Sequence, residues 1–170
     1  MAQPEDVALT ELMPAHVMLL GNWLHRPHVK PWYPDPEANI QWAVDPPAGG
    51  SQVLIECQGK PIGYLRWQRV DRATLDSLGL TRIPENSVDA DILIGEQAYT
   101  ARGIGPLVLE RLVARLRSEG DVPLVGLTTS VDNQSAQKAF LKAEFTRAAE
   151  YSPPGLGRCL LFARSLSEPE

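Results

Sequence analysis

Apolar and polar positions follow one another along the chain in patterns that predict a mixed fold of helices and strands. The run Asp91–Gly95 is apolar after its first residue, as in a buried strand, whereas Leu107–Leu116 repeats apolar residues at helical spacing. By the same criteria, strands are predicted at Val7–Leu12, Ser51–Cys57, Pro61–Val70, Val88–Gly95, Val122–Thr128, Phe145–Tyr151 and Arg158–Ser165. Helices are predicted at Pro14–Leu24, Glu37–Val44, Gly103–Ser118 and Asn133–Ala143. Because helices fall between strands in the second half, we expect a mixed sheet covered by helices.

Two segments stand outside this pattern. The stretch His25–Pro34 contains three prolines, which exclude a regular element, and it carries the neighbouring aromatics Trp32 and Tyr33. The stretch Asp71–Ser87 is interpreted as a polar insert between two strands. Both are expected to lie at the surface, where loops carry function.

Composition narrows the classes of partner. The chain has 170 residues, 44% of them hydrophobic, and we expect residues 1–170 to form a single domain with a real core. Its formal charge of -5 argues against nucleic acid or an anionic membrane as the main partner and favours a cationic one. There is no signal-like N-terminus and no apolar run long enough to span a bilayer, so we expect a cytoplasmic protein.

A glycine-rich turn between a strand and a helix is the strongest chemical signal. Gly103 and Gly105 sit where the strand gives way to the helix, which lets backbone N–H groups approach phosphate oxygens closely. Arg102 adds a charged donor, and Pro106 suits a first helical turn, where its missing N–H costs little. The turn therefore predicts an anion cradle.

Acidic residues gather just before this cradle. Asp89 and Asp91 project to the same face of their strand together with Leu93. The segment Asp71–Glu96 holds six acids against two arginines, which would attract a polycation. The sequence therefore places an anion cradle beside a possible base.

This arrangement resembles the acyl-CoA-dependent N-acetyltransferases of the GNAT superfamily, and among them most closely the aminoglycoside 6'-N-acetyltransferases. The resemblance is carried by Trp23–Tyr33, by Lys60–Tyr64, by Asp91 twelve residues before Gly103, and by Asn133–Phe145. It covers essentially the whole chain. It implies the GNAT fold, an α/β (α+β) architecture with a central mixed, mostly antiparallel sheet of about seven strands. That sheet would splay at the coenzyme strand and be flanked by about four helices.

The resemblance also implies which residues bind the coenzyme. The backbone of Leu93, Ile94 and Gly95 would pair with the pantetheine arm. Asn133 would touch the coenzyme from the next helix. The pyrophosphate would be held by Thr100, Ala101, Arg102, Gly103, Ile104, Gly105 and Pro106.

The substrate residues follow in the same way. Asp91 would be catalytic, contacting the substrate amine directly or through water, with Asp89 standing beside it. Trp32 and Tyr33 would form one wall of the substrate site, and Asp76 falls where the aminoglycoside branch has another substrate-contacting carboxylate. A primary amine with a pKa of about 10.4 is mostly protonated at neutral pH, so a carboxylate, or a water chain ending on one, must accept its proton.

The chain departs from the family pattern at four positions. Thr100 stands where Gln or Arg usually opens the turn, and Glu144 replaces a glycine before Phe145. Phe140 occupies the place of a tyrosine that protonates the departing thiolate in many members, and it cannot donate a proton. Thr128 replaces an aspartate of the aminoglycoside branch. These changes bear on the substrate more than on the fold.

The sequence thus predicts acetyl transfer from acetyl-CoA to a primary amine by direct attack in a ternary complex. The leading acceptor is the 6'-amine of aminoglycoside antibiotics, which would confer resistance. Two alternatives stay open, namely a GNAT acting on another small amine (a polyamine, a peptide or a siderophore precursor) and a non-catalytic acyl-CoA-binding sensor. Acetyl-CoA is the expected co-substrate, and no metal is proposed because the three histidines lack partners at ligand spacing. No nucleic-acid or membrane partner is expected, and both a monomer and a homodimer are compatible with the sequence.

Overall fold

In a computed structural model that describes residues 3–167, the chain forms a mixed sheet with helices. The strands are β1 (Val7–Glu11), β2 (Gly50–Cys57), β3 (Lys60–Arg69), β4 (Val88–Ile94), β5 (Leu124–Ser130), β6 (Thr146–Tyr151) and β7 (Cys159–Ser165). The α-helices are α1 (His16–Leu24), α2 (Pro36–Val44), α3 (Arg72–Ser77), α4 (Ile104–Glu119) and α5 (Gln134–Lys142). Short 3-10 helices occur at Pro4–Asp6, Lys30–Trp32 and Gln97–Tyr99. The described helices include none that is both long and apolar enough to cross a bilayer.

The sheet has the order β1-β2-β3-β4-β5-β7-β6. Strands β1 and β2 pair antiparallel, as do β5 with β7 and β6 with β7, whereas β4 and β5 are parallel. The expected seven-stranded, mixed and mostly antiparallel sheet is confirmed. Each predicted strand and helix is present, with bounds that differ by at most two residues.

The insert contains one helix that the sequence pattern did not predict. Helix α3 begins after Asp71, whose side chain accepts a hydrogen bond from the Thr74 N–H at 2.8 Å. The helix has only six residues, too few for an apolar repeat to be recognised. It buries Leu75, which packs with Leu80 and Leu161 in a small core of its own. The insert is therefore not merely polar, because it covers apolar surface.

The contacts between residues divide the chain into two compact units. The first unit comprises the residues up to 67 together with 92–105, and the second comprises 68–91 and the residues from 106 onward. In the first unit, α1 packs Trp23, which is fully buried, into a core that includes Leu54, Tyr64 and Leu93. This core surrounds the end of β4.

The second unit is built around the parallel strand pair. The register of β4 with β5 sets Val88 through Ala90 opposite Val125 through Leu127, and it stops before Asp91. Helix α4 buries the apolar side chains of Val108, Leu109, Leu112, Val113 and Leu116. Phe140 of α5 packs edge-on against Phe162, with ring centroids 5.6 Å apart. The pairing of β4 with β5 thus ends just before Asp91, the residue that the sequence singles out for catalysis, whereas β3 remains the neighbour of β4 on its other side.

Gly95 is required by packing, and its replacement by alanine is expected to destabilise the protein. A Cβ atom at this position would lie 2.0 Å from Cγ of the fully buried Trp23 ring. Overpacking of this kind costs about 1–3 kcal/mol, which urea unfolding would measure.

Gly21→Ala is the matched control for that measurement. Its Cβ would meet Ile40 at an ordinary 3.5 Å, within helix α1, so alanine should leave the free energy of unfolding unchanged or raise it by up to about 1 kcal/mol. Equal free energies of unfolding for Gly95→Ala and the wild type would contradict the packing of Trp23 against Gly95.

Candidate functional site

A backbone irregularity marks the end of β4 in the first unit. The N–H groups of Gly95 and Glu96 both donate to the carbonyl of Ile62, at 2.8 and 3.1 Å. Two successive residues opposite one residue of the neighbouring strand form the pattern of a β-bulge, which terminates regular pairing. Strand β4, which is expected to bind the coenzyme, therefore ends at Ile94. The N–H of the next residue, Gly95, is already donated to β3.

Two side chains of the segment His25–Pro34, called the proline-rich loop below, bond to the same stretch of β4. His28 Nε2 lies 2.9 Å from the carbonyl oxygen of Ile94, and the Tyr33 hydroxyl donates to the carbonyl of Ile92 at 3.3 Å. Because backbone groups alternate in direction along a strand, these two carbonyls point away from β3, the side to which Gly95 donates. Tyr33, predicted as a substrate wall, thus fastens the loop to the coenzyme strand. Trp32 lies half-buried in the 3-10 helix beside it.

Glu96 has a structural role that its sequence context did not reveal. Its carboxylate accepts a hydrogen bond from Trp23 Nε1 at 2.6 Å and pairs with Arg26 at 3.4 Å. Lys60 approaches the same carboxylate at 4.0 Å. Glu96 therefore joins α1, the proline-rich loop and the bulge, and its charge is engaged within the first unit.

The predicted anion cradle has the backbone geometry that anion binding requires. Ala101 and Gly103 adopt left-handed conformations, with φ of 58° and 78°, on either side of Arg102. Alternating left- and right-handed residues turn successive N–H groups into a concavity that accepts anions. Helix α4 begins at Ile104, and Pro106 falls in its first turn, where an N–H would have no partner within the helix. The residues of this turn fit a pyrophosphate.

Two cationic side chains lie over the ring of Tyr99, which precedes the cradle in the sequence. The guanidinium of Arg102 lies 5.2 Å from the centre of the Tyr99 ring, and Lys60 Nζ lies 5.6 Å from it. Thr100 turns its hydroxyl back onto the carbonyl of Gln97 at 2.7 Å. Because the Thr100 hydroxyl is bonded within the turn, the contacts expected for an anion would come from the Arg102 guanidinium and from backbone N–H groups.

Asn133 caps a helix in the second unit. Its Oδ1 accepts the N–H of Ala136 at 3.2 Å, which fixes the start of α5. The residue is 8% exposed. The cap occupies the amide oxygen and leaves the amide nitrogen as the group for the coenzyme contact that the resemblance implies.

The candidate catalytic acids lie together in the second unit. Asp89 is exposed and stands opposite Gly126 in the β4–β5 register, and Asp91 follows two residues later on the same face, half-buried. Thr128 follows Gly126 by two residues on β5 and shares that face. The two carboxylates are thus adjacent at the point where the pairing of the strands ends.

Asp76 occupies a different setting. It is exposed on α3 and forms an ion pair with Arg72 one turn earlier, at 2.9 Å. Arg72 also donates to the carbonyls of Leu80 and Ile83, so this ion pair belongs to the hydrogen bonds that hold the insert together. Thr74 and Leu75 of α3 line a pocket that Asp89 also lines, whereas Asp76 is not among the residues lining it.

A pair of hydroxyls lies at the position on β5 where the resemblance implies a carboxylate. Thr128 Oγ1 lies 2.6 Å from the hydroxyl of Tyr151, and both residues line the same pocket as Asp89. The sequence pattern does not single out Tyr151 and predicts only the hairpin that contains it. In the structure, the register of that hairpin sets Tyr151 opposite Cys159.

Burial, with the nearby negative charge of Asp89 adding to it, raises the pKa of Tyr151 to about 12. In the unfolded chain the pKa of tyrosine is about 10. The folded state therefore holds the proton between pH 10 and pH 12 where the unfolded state loses it, so the stability contributed by this residue is complete below pH 10 and lost as the pH rises toward 12.

Tyr151→Phe should show a smaller fall in the free energy of unfolding between pH 10 and pH 12 than the wild type. Phenylalanine has no proton to lose, whereas every other titrating group is shared by the two proteins. Urea unfolding at several pH values would measure the difference. Parallel pH profiles would mean that Tyr151 titrates alike in the folded and unfolded states.

Comparison with known proteins identifies the family. Residues 13–152 match the family described as "Acetyltransferase (GNAT) domain", and no curated protein gives a significant match. Among residues 3–167, no group of three or more His, Cys, Asp and Glu side chains is placed to hold a metal ion.

Several solved structures share the fold. The aminoglycoside acetyltransferase AAC(6')-Ib in complex with coenzyme A and kanamycin aligns with a TM-score of 0.76 and 21% identity over 94% of each chain. An aminoglycoside N(6')-acetyltransferase from Legionella pneumophila aligns with a TM-score of 0.76 and 15% identity over 95% of this chain and 92% of that one. The ribosomal L7/L12 α-N-protein acetyltransferase RimL in complex with coenzyme A gives 0.70 and 15% over 94% of each chain. At these identities the likeness establishes the fold, and the family match spans most of the sequence. The chain therefore belongs to the GNAT acetyltransferases.

Proposed function

We propose that this GNAT domain transfers the acetyl group of acetyl-CoA to a primary amine of a small cationic molecule, by direct attack in a ternary complex. The observation that carries the proposal is the pair Asp89 and Asp91, two carboxylates on one face of β4 where its pairing with β5 stops. A cationic amine is the ligand that such a pair attracts. A non-catalytic sensor of acyl-CoA would have no use for it.

Asp91 is the residue proposed to receive the proton. The amine must be neutral to attack a thioester, and its ordinary pKa of about 10.4 keeps it protonated at neutral pH. Asp91 is half-buried, and it can accept the proton directly or through an ordered water. Asp89, exposed two residues earlier, holds the incoming cation in place.

The coenzyme supplies the activated acetyl group, and the proposed role of the cradle is to hold its pyrophosphate. Backbone N–H groups from Ala101 to Gly105 and the charge of Arg102 would face the phosphate oxygens, whereas the N–H of Thr100 is donated to the carbonyl of Gln97. Phe140 is 5% exposed and packs in the core, so it provides neither a proton nor a contact for the departing thiolate. The thiolate would therefore take its proton from water or from another side chain.

The first acceptor proposed is the 6'-amine of an aminoglycoside, whose acetylation would confer resistance. The acidic insert and the likeness of the fold to the two aminoglycoside acetyltransferases support it. The second is another small amine. The neutral pair of Thr128 and Tyr151 supports this choice, because it leaves one carboxylate fewer for a polycation.

The test is acceptor-dependent release of coenzyme A by the purified protein with kanamycin, tobramycin, spermidine or no acceptor. Mass spectrometry and NMR of each product would locate the new amide. Acetylation of an aminoglycoside at its 6'-amine would establish the first acceptor class. Acetylation of spermidine alone would replace it with the second, and no acetylation of any amine would contradict the proposed function.

A further inference from the structure

Glu96 lies between β4 and the cradle, and its carboxylate is directed at a buried indole. The side chain is 19% exposed, and Oε2 accepts a hydrogen bond of 2.6 Å from Nε1 of the fully buried Trp23. The same oxygen lies 3.4 Å from Arg26, and Oε1 lies 4.0 Å from Lys60. A hydrogen bond from an N–H donor to a charged carboxylate is short and strong, so the indole fixes the direction of the Glu96 side chain.

The same indole holds the bulge at the end of β4. Trp23 packs so closely over Gly95 that a Cβ atom there would overlap its ring. The N–H groups of Gly95 and Glu96 share the carbonyl of Ile62 on the other strand. Trp23 therefore contacts the first residue of the bulge through its ring and the second through its N–H group.

A short segment with its own hydrogen bonds connects this bulge to the cradle. The 3-10 helix Gln97–Tyr99 follows Glu96 directly, and the N–H of Tyr99 donates to the Glu96 carbonyl at 2.9 Å. The N–H and the hydroxyl of Thr100 both donate to the carbonyl of Gln97, at 3.1 and 2.7 Å. Because these bonds leave the segment little freedom, a change in the direction of the chain at Glu96 would move the cradle.

We infer that Glu96 is a positioning residue for the coenzyme. By fixing the bulge against Trp23, it sets the direction in which the chain enters the cradle, and with it the orientation of the N–H groups that receive phosphate. The carboxylate acts through the chain rather than by contact, since its two oxygens are engaged by Trp23, Arg26 and Lys60. The inference rests on the proposed role of the cradle in holding the pyrophosphate.

The sign of the effect separates positioning from simple electrostatics. A carboxylate on the chain that leads into a phosphate site repels the ligand, so loss of its charge alone would strengthen coenzyme binding or leave it unchanged. Loss of the positioning bond would weaken binding although a negative charge is removed. A residue with a merely structural role would lower the thermal stability and leave the affinity of the folded protein unaltered.

Calorimetry with coenzyme A on purified variants tests the inference without any acetyl transfer. We expect Glu96→Ala to raise the Kd for coenzyme A by about tenfold or more, because it removes the charge-assisted bond to Trp23. Glu96→Gln should stay within about threefold of the wild type, because its amide oxygen still accepts the indole N–H and the exposed ion pairs contribute little. Glu37→Ala, which removes an exposed glutamate of α2 in the same unit, should leave the Kd unaltered.

Trp23→Phe gives a second test that does not depend on the folding of Glu96→Ala. Phenylalanine keeps a ring over Gly95 and removes the N–H, so the Kd should rise in this variant too, and adding Glu96→Gln should raise it no further. The KM for the amine should stay at the wild-type value, because neither change alters an acid proposed to bind the amine. A wild-type or lower Kd in folded Glu96→Ala or Trp23→Phe would overturn the inference, as would equal losses in Glu96→Ala and Glu96→Gln.

The same measurements distinguish this inference from the proposed function. Coenzyme A binding that is weakened by Glu96→Ala and not by Glu37→Ala, without acetyl transfer to any amine, would support the positioning role and contradict the proposed function. Acetylation of an amine by Glu96→Ala with the wild-type Kd for coenzyme A would support the proposed function and overturn the positioning role.

Discussion

Asp91→Asn is expected to lower kcat/KM for acetyl transfer by about 10²- to 10³-fold, the usual contribution of a positioned general base. Asparagine keeps the size of the side chain but cannot accept the proton of an ammonium group. The substitution changes no residue of the cradle, so the affinity for coenzyme A, measured by calorimetry, should be nearly unchanged.

Two matched variants sharpen this result. Asp89→Asn should mainly raise the KM for the amine, because Asp89 is assigned to attraction rather than to proton transfer. Asp45→Asn makes the same charge change at an exposed position after α2 and should leave both constants unaltered. Wild-type kcat/KM in Asp91→Asn would remove Asp91 from the mechanism.

Gly103→Val is expected to raise the KM for acetyl-CoA by about tenfold or more, equivalent to about 1.4 kcal/mol. The φ of Gly103 is 78°, a region that a β-branched residue tolerates poorly, so valine would reshape the turn that orients the N–H groups. The branched side chain would also stand where an anion must approach. Calorimetry with coenzyme A would report the loss of affinity directly.

Gly155→Val provides the control for backbone strain. Gly155 has a φ of 80° in the loop between β6 and β7, outside the proposed cradle. Valine there should cost similar stability and leave the KM for acetyl-CoA alone. If Gly103→Val folds and binds coenzyme A with wild-type affinity, the turn shapes the chain and does not hold the coenzyme.

The elements that could be predicted from the sequence are those with a long apolar repeat or with glycine and proline residues at their turns. The sixteen residues of α4 repeat apolar positions, and the turn Gln58–Gly59 between β2 and β3 has two left-handed residues that a hairpin favours. The cradle was predictable for the same reason, because Gly103 and Pro106 have conformational preferences that act locally. The local sequence is therefore sufficient to predict these features.

The features that could not be predicted depend on contacts between distant segments. Helix α3 is too short for a periodic signal, and its burial of Leu75 depends on Leu161, which lies far along the chain. The pairing of Thr128 with Tyr151 depends on the order of the strands in the sheet. The local pattern of apolar and polar residues does not reveal that order.

One reaction tests most directly whether an acetyl group is transferred to an amine nitrogen. The purified protein would be incubated with isotopically labelled acetyl-CoA and a mixture of kanamycin, tobramycin and spermidine, and the products would be identified by mass spectrometry. We expect one or more amines to carry the labelled acetyl group as an amide, formed rapidly by the wild type and slowly by Asp91→Asn. Coenzyme A binding with no labelled amide on any amine would contradict the proposed acetyl transfer.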